Sequence, residues 1–368
     1  MANPPVANPP VAKPQGRTCA VMPHHYYLAE TDPVYRDNRR LIEAQTSTMR
    51  LATRTGVIRI PVVVHVLFHT DQENIEMSQI ESQIAALNRD YRLQNADRGQ
   101  IPAPFRPFAV DTLIEFALAV RDPQGNATTG VTRTPTSKTE FPYDQFDPQT
   151  TKKLDDMIKF NGFGKSAWPR DSYLNLWCCN LGGGLLGYAQ FPGAAAATDG
   201  VVIRTKSFGT SGFVEQPYDL GRTAVHEIGH WLNLLHIWGD DGGGCGQSDN
   251  VDDTPNQANS NGSGVRIGNF PHISCNNGPN GDMFMNYMDY VDDDTMFMFT
   301  AGQLRRMNAT LAGPRASLAN SMGLTPVQTP ALEPAVAAVA AVAVAARPIP
   351  ADERGDRPTL TFDGVSWV

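Results

Sequence analysis

The apolar positions of this chain change period several times between residues 57 and 318, and each change marks an element. Val57 to Phe68 is a nearly unbroken β-branched run, which predicts a buried strand. Ser78-Gln79-Ile80-Glu81 has the spacing of a capping box, and Ile80, Ile84, Leu87 and Tyr91 behind it share one helical face. Leu113 to Val120, Leu174 to Leu181 and Gly200 to Ile203 read as further strands. Between the last two, Gly182-Gly183-Gly184 leads into Leu186 to Gln190, a short run that suits an exposed edge strand onto which a peptide can add by backbone pairing. Thr300 to Gln303 is a second capping box; Leu304, Met307 and Leu311 give its helix an apolar face, and Gly313-Pro314 ends it. The flanks differ. From Met1 to about Thr55 the chain is rich in Pro and charge, opening on the repeat Asn3-Pro4-Pro5-Val6-Ala7-Asn8-Pro9-Pro10-Val11, and beyond Asn320 it is a Pro/Ala/Val-rich tail with the composition of a linker.

Composition adds limits. With 368 residues, 41% of them hydrophobic and 18% charged, the chain can bury a full core and leave flanking segments outside it. A net charge of -8 argues against nucleic acid as a partner. The apolar run Ala335 to Ala346 falls short of the roughly 20 residues of a membrane span, so no membrane span is expected. Of the five cysteines, Cys178 and Cys179 lie in a strand-like run where neighbours face opposite sides, which favours two small buried hydrophobes over a vicinal redox pair. Cys19 stands ahead of every predicted core element.

The chemistry is concentrated in His226-Glu227-Ile228-Gly229-His230-Trp231-Leu232-Asn233-Leu234-Leu235-His236. Residues four apart on a helix sit about 40° apart around its axis, so His226 and His230 present two imidazoles to one point. That is two legs of a zinc site, with Glu227 beside them as a carboxylate free to take a proton from water. His236 joins only if the chain turns sharply after His230, and Asn233 is the residue that best accepts a left-handed backbone there. A bare HExxH occurs in ordinary helices. The third histidine, Gly239-Asp240 after it, and a methionine at Asn286-Tyr287-Met288-Asp289-Tyr290 make the pattern specific to metzincin metalloproteases.

One family is resembled in particular. The run from His226 to His236, Gly244-Cys245, Asp249, Asp253-Thr254-Pro255, Cys275-Asn276-Asn277-Gly278-Pro279, the Met288 turn and Phe299-Thr300-Ala301-Gly302-Gln303 resemble the pappalysins, especially their ulilysin-like microbial members, over roughly Val57 to Leu318. Two departures stand out: Asn233 replaces the usual glycine, and Thr295 replaces a cysteine, which leaves one of two family disulfides absent. The resemblance implies an α/β (α+β) metzincin-type fold: a twisted mixed sheet, an active-site helix, a substrate-binding edge strand, and a C-terminal subdomain carrying the Met-turn. It divides the chain into a prosegment (1–55), a catalytic domain (56–320, its N-terminal subdomain ending near 236) and a tail (321–368).

The implied function is a zinc endopeptidase made as a latent precursor and acting on protein or peptide substrates. His226, His230 and His236 hold Zn²⁺, Glu227 is the general base, Tyr290 steadies the oxyanion unless it is only a packed aromatic, and Met288 floors the site without ligating. Cys19 caps the zinc in the latent form; an ordinary free thiol is the alternative. Cys245 and Cys275 pair as a disulfide, which implies secretion to an oxidising compartment, although the N-terminus shows no apolar signal core. Ser248, Asp249, Val251 and Thr254 offer oxygens suited to a structural Ca²⁺, unless the loop acids are simply solvated. Among Asp292-Asp293-Asp294, Asp294 is expected at the base of the pocket that receives the side chain just after the scissile bond, selecting Arg or Lys; all three acids facing solvent is the alternative. Self-release is then expected at Met49-Arg50 or Thr53-Arg54. Two other functions stay open: a catalytically inactive zinc-folded protein-binding module, which a missing base would favour although Glu227 is present, and a redox or metal-storage protein built on Cys178-Cys179, which leaves the methionine turn and the edge strand unexplained.

Overall fold

Two helices precede the first strand, in a stretch whose composition gave no periodic signal: α1 (Val21–Thr31) and α2 (Pro33–Thr48). Asp32 separates them and caps the second, its carboxylate accepting from the amides of Val34 and Tyr35 at 2.9 and 3.1 Å, with Pro33 at the first helical position. The structure, a computed structural model, describes residues 16–49, 55–160 and 162–327. The Pro-rich repeat, the expected cleavage bonds at Met49-Arg50 and Thr53-Arg54, and the tail from Gln328 lie outside the described residues.

The chain continues with β1 (Ile58–Phe68), α3 (Met77–Tyr91), β2 (Ile114–Leu118), β3 (Val131–Pro135), α4 (Thr150–Ile158), β4 (Leu174–Cys179), β5 (Gly187–Ala189), β6 (Val201–Arg204), α5 (Arg222–Trp231) and α6 (Ala301–Ala312). The β-branched run of β1 is buried from Ile60 to Leu67 and forms the sheet's centre. Its first half pairs with β2 and its second with β3, while β4 pairs along its other side, all parallel. The order β2-β1-β4-β6-β5 ends on β5, the lone antiparallel strand, so the sheet is mixed and the short Gly187–Ala189 run is an edge. Cys178 and Cys179 are buried in different apolar clusters, as side chains on opposite faces of one strand must be.

Local capping matches the sequence at one helix and not at another. In α6 the box forms: Thr300 Oγ1 accepts from the Gln303 amide at 3.2 Å and Gln303 Oε1 accepts from the Thr300 amide at 2.9 Å. In α3 it does not, because the helix begins at Met77 behind Glu76, which puts Ser78 inside the first turn rather than at the cap. Residues 321–327 also stay packed on the sheet, the Gly323 carbonyl accepting from the amides of Val120 and Arg121 at 2.8 and 3.2 Å, so described structure runs past Asn320. Among the described residues no helix is long and apolar enough to cross a membrane.

Candidate active site

Helix α5 is buried along its whole length and carries His226, Glu227 and His230. Gly229 has to be glycine, since a Cβ there would lie 2.5 Å from the sulfur of Met288, the residue packed beneath the helix. Beyond Leu232, Asn233 adopts φ 74°, the left-handed turn expected of it, and the chain doubles back with the Leu234 amide on the Gly229 carbonyl at 2.9 Å. That reversal brings His236 to its two partners.

The three imidazoles meet nitrogen to nitrogen. His230 Nε2 lies 3.1 Å from Nε2 of both His226 and His236. Each Nδ1 points the other way: toward the Tyr287 carbonyl at 2.7 Å for His226, the Leu234 carbonyl at 2.8 Å for His230, and the Asp240 carboxylate at 2.8 Å for His236. Those acceptors require the ring proton on Nδ1, so three bare Nε2 lone pairs converge on one point. Lone pairs facing one another at that distance repel unless a cation lies among them, and neutral imidazoles with Nδ1 held by an outer partner are how zinc-binding histidines are presented. Burial and the neighbouring imidazoles push His226 and His230 well below the usual histidine range, which keeps them neutral. The residues therefore fit Zn²⁺.

Cys19 completes the cluster: its sulfur and the three histidine nitrogens lie within 4.8 Å of one another, all four residues buried. Residues 18–20 reach this point by pairing with the edge strand in parallel, the Leu186 amide on the Thr18 carbonyl and the Ala20 amide on the Gly187 carbonyl at 3.0 and 3.1 Å. The thiol donates to Glu227 Oε2 at 3.2 Å. Burial pushes the Glu227 carboxyl up to about 8 and, with the Glu227 charge, raises the Cys19 thiol well above its usual range; a dication held by these groups favours thiolate and carboxylate instead. Glu227 can stand beside the strand because Gly187 has no side chain, a Cβ there falling 3.0 Å from Glu227 Cγ. Tyr290 packs its ring 4.9 Å from that of His236 and aims its hydroxyl at the Cys19 carbonyl, 3.4 Å away.

The acidic stretch after the Met-turn corrects the expectation about Asp294. In the one-turn 3-10 helix over Asp293–Thr295 successive side chains lie about 120° apart, and Asp293 and Thr295 are the two turned inward. Asp294 faces solvent, with its side chain 61% exposed and Arg266 at 3.6 Å. Asp293 is the buried acid. Its Oδ1 receives Arg17 Nη2 at 2.5 Å, while its Oδ2 accepts the Leu220 amide at 2.8 Å. Arg17 also donates to the Val291 carbonyl and Thr223 Oγ1, at 3.2 and 3.1 Å, and lies over the Tyr218 ring. Asp292 is buried too, bound to Ser263 and Arg266. The solvent-facing alternative thus holds for Asp294 alone.

In the loop after the helix, Asp249 is buried and accepts Thr254 Oγ1 at 2.9 and 2.8 Å and the Val251 amide at 3.1 Å, while the Val251 carbonyl accepts Thr254 Oγ1 at 3.0 Å and Ser248 stands at the exposed end. Burial pushes the Asp249 carboxyl up to about 7. Cys245 and Cys275 form a disulfide that ties this loop down, with Cα atoms 5.5 Å apart. Three roles were missed at the level of sequence. Asp240, four residues past His236, orients that ring, and its spacing was the available signal; Arg17 was visible only as a neighbour of Cys19, and Asp293 only as one of three acids.

A family model described as "Pregnancy-associated plasma protein-A" matches residues 159–312. An extracellular metalloprotease of Pyricularia oryzae is 42% identical over 160 residues, covering 41% of this chain and 53% of that protein, and extracellular metalloprotease 1 of Coccidioides posadasii is 43% identical over 142 residues, 37% and 48% of the two chains. The chain thus spans about half the length of these curated relatives. Solved structures match more fully. A promirolysin mutant from Tannerella forsythia is 44% identical with a TM-score of 0.73, covering 83% of this chain and 98% of that one. Mature mirolysin of the same organism, in complex with a cleaved peptide, is 48% identical with a TM-score of 0.66, covering 73% and 98%. With the zinc-site geometry and near-complete coverage of these structures in agreement, the chain belongs to the pappalysin family of metzincin zinc metalloproteases.

Proposed function

We propose that this chain is a secreted, zinc-dependent endopeptidase made as a latent precursor, with a preference for Arg or Lys just after the scissile bond. The observation that carries the proposal is the convergence of three bare histidine nitrogens beside Glu227, at an edge strand whose backbone is already paired with residues 18–20. Zinc, held by His226, His230 and His236, supplies Lewis acidity that polarises the peptide carbonyl and makes water a better nucleophile. Glu227 accepts a proton from the attacking water and returns it to the departing amine. Tyr290 donates its phenol hydrogen to the oxyanion, from the position where it now faces the Cys19 carbonyl. Cys19 serves as the fourth ligand in the precursor and is withdrawn on activation.

The basic-residue preference is assigned to Asp293 rather than Asp294. Arg17 fills its pocket with each of its three guanidinium nitrogens bonded, Nη2 to the carboxylate, and a substrate arginine offers the same charge and donors to that carboxylate. Secretion is supported by the disulfide and by relatives named as extracellular. We assign Ca²⁺ to the loop of Ser248, Asp249, Val251 and Thr254, where the buried carboxylate and a backbone carbonyl are hard ligands. Release is assigned to cleavage before Arg50 or Arg54. Casein digestion by the matured protein, with and without chelator, tests the reading together with zinc content and the mature N-terminal sequence. Loss of digestion on chelation and recovery with zinc are expected; digestion indifferent to chelator, or absent from zinc-loaded mature protein, sinks it.

A further inference from the structure

The prosegment also docks through α2, at a contact that does not involve the thiol. On α2, Arg39 and Glu43 stand one turn apart and face the turn that carries the zinc ligands. Arg39 Nη1 donates to Asn233 Oδ1 at 2.6 Å and to the Pro192 carbonyl at 3.3 Å. Glu43 Oε1 accepts from Asn233 Nδ2 at 3.1 Å, and both its oxygens accept from Arg306 Nη2 at 3.0 Å. Arg39 and Glu43 bond one another at 2.9 Å, which closes a ring of three with Asn233, and Arg306 joins it through Glu43. Asn233 is fully buried and Arg306 is 6% exposed. The ion pair of Arg306 is with Glu43, a residue that leaves with the prosegment.

Two further details show a built contact. Gly193 lets the helix come close, because a Cβ there would lie 3.2 Å from both Asn38 Cβ and Ile42 Cδ1, and its carbonyl accepts Asn38 Nδ2 at 2.9 Å. The amide of Asn233 is the added group where most metzincins have glycine. A glycine would make the same left-handed turn. What the asparagine adds is one acceptor and one donor, and the prosegment uses both.

We infer that Asn233 and Arg306 form a docking site on the catalytic domain for a helix face bearing Arg and Glu one turn apart, its occupant being α2, and that this site holds the prosegment independently of Cys19 and Arg17. The inference rests on residues up to about 55 being a prosegment. It follows that a cut beyond residue 49 leaves the segment seated by α2 as well as by Cys19 and Arg17, and that loss of the thiol contact alone does not release it. In the freed enzyme the guanidinium of Arg306 and the amide of Asn233 remain as paired donors for a carboxylate.

Hydrogen exchange on the intact precursor tests this without any catalysis, so failure of the peptidase assignment does not touch it. Glu43→Gln removes a prosegment charge and leaves every catalytic-domain residue in place. Amides of residues 36–48 are expected to exchange at least about tenfold faster in that variant, as for loss of charge from one partner of a half-buried hydrogen-bonded pair, while residues 18–20 keep their protection. Cys19→Ala is expected to do the reverse. Arg39→Ala, which cuts the other arm, should repeat the Glu43→Gln pattern, and unchanged zinc content and β1 protection certify the fold of each variant. Unchanged α2 exchange in both Glu43→Gln and Arg39→Ala overturns the docking site. Loosening of residues 18–20 together with α2 in every variant overturns its independence.

Discussion

Arg17 and Asp293, 276 positions apart, meet at 2.5 Å where the arginine is 5% exposed and the aspartate fully buried. A buried ion pair is favourable only when its remaining hydrogen-bonding groups are also matched. Here each guanidinium nitrogen has a partner, Nε at the Val291 carbonyl and Nη1 at Thr223, and the second carboxylate oxygen takes the amide of Leu220. The precursor thus occupies, with its own arginine, the pocket proposed to select basic substrate side chains, next to the thiol that meets the histidines.

Asp293→Asn is expected to lower kcat/KM for peptides with Arg after the cut by about two hundred- to five thousandfold, the equivalent of the roughly 3–5 kcal/mol lost when a buried pair is broken. The asparagine still accepts a backbone amide through its side-chain oxygen. A peptide with Ala at the same position should be hydrolysed at nearly the wild-type rate, which separates pocket charge from damage to the fold. Asp294→Asn, at an exposed site, should change either substrate by less than about twofold. An equal loss for Arg and Ala peptides in Asp293→Asn removes the acidic pocket from the account.

Glu227→Gln should retain stoichiometric zinc and the wild-type unfolding temperature while peptide hydrolysis falls by about 10²–10⁴-fold, because the three ligands are untouched and only proton transfer is lost. Metal analysis beside steady-state kinetics decides it. Activity within tenfold of wild type rules out Glu227 as the base.

The convergence of His226, His230 and His236, the place of Glu227 beside them and the Asn233 turn were legible because each is a local constraint: helical spacing fixes His226 and His230, and one left-handed residue fixes the reversal. The edge strand was legible as a short run after glycines. What the sequence hid was set by distant partners. Asp293 and Asp294 are chemically identical neighbours, and only the direction of a single helical turn, held by Leu220 and Arg17, decides which is buried. Helices α1 and α2 were missed since their buried faces are polar as well as apolar, with His24 and Arg39 in place of leucines. The capping box at Ser78 was a true motif in the wrong place, because Glu76 already starts the helix.

Asp240 holds the Nδ1 proton of His236 at 2.8 Å, and outer partners of this kind typically contribute 10–100-fold in metal affinity. Asp240→Asn in the mature enzyme is accordingly expected to weaken zinc binding by about that factor, measured by competition with a chromogenic chelator, and to leave kcat at saturating zinc within about tenfold. Unaltered zinc affinity shows that the ring is oriented well enough by Trp238, which stacks on it at 4.2 Å.

Acid should loosen the prosegment. His24 is buried against Tyr188 with Asp155 and Lys159 beside it, and His25 lies among Tyr35, Arg39, Glu43, Asp240 and Phe191. Burial dominates in both cases and lowers each imidazole to about 4. Released, both return to about 6.5, so the docked segment binds fewer protons than the free one. Docking strength is therefore full above the free value and falls as pH drops from about 6.5 toward 4, by up to about tenfold per pH unit for each histidine. The measurement is precursor activity divided by mature-enzyme activity at each pH, a ratio that cancels effects on zinc and on the chemical step. It should rise between about pH 7 and pH 5, and the rise should flatten when both histidines are replaced by glutamine. A flat ratio in the wild type, or an equal rise in the double variant, shows that these two imidazoles do not couple protons to latency.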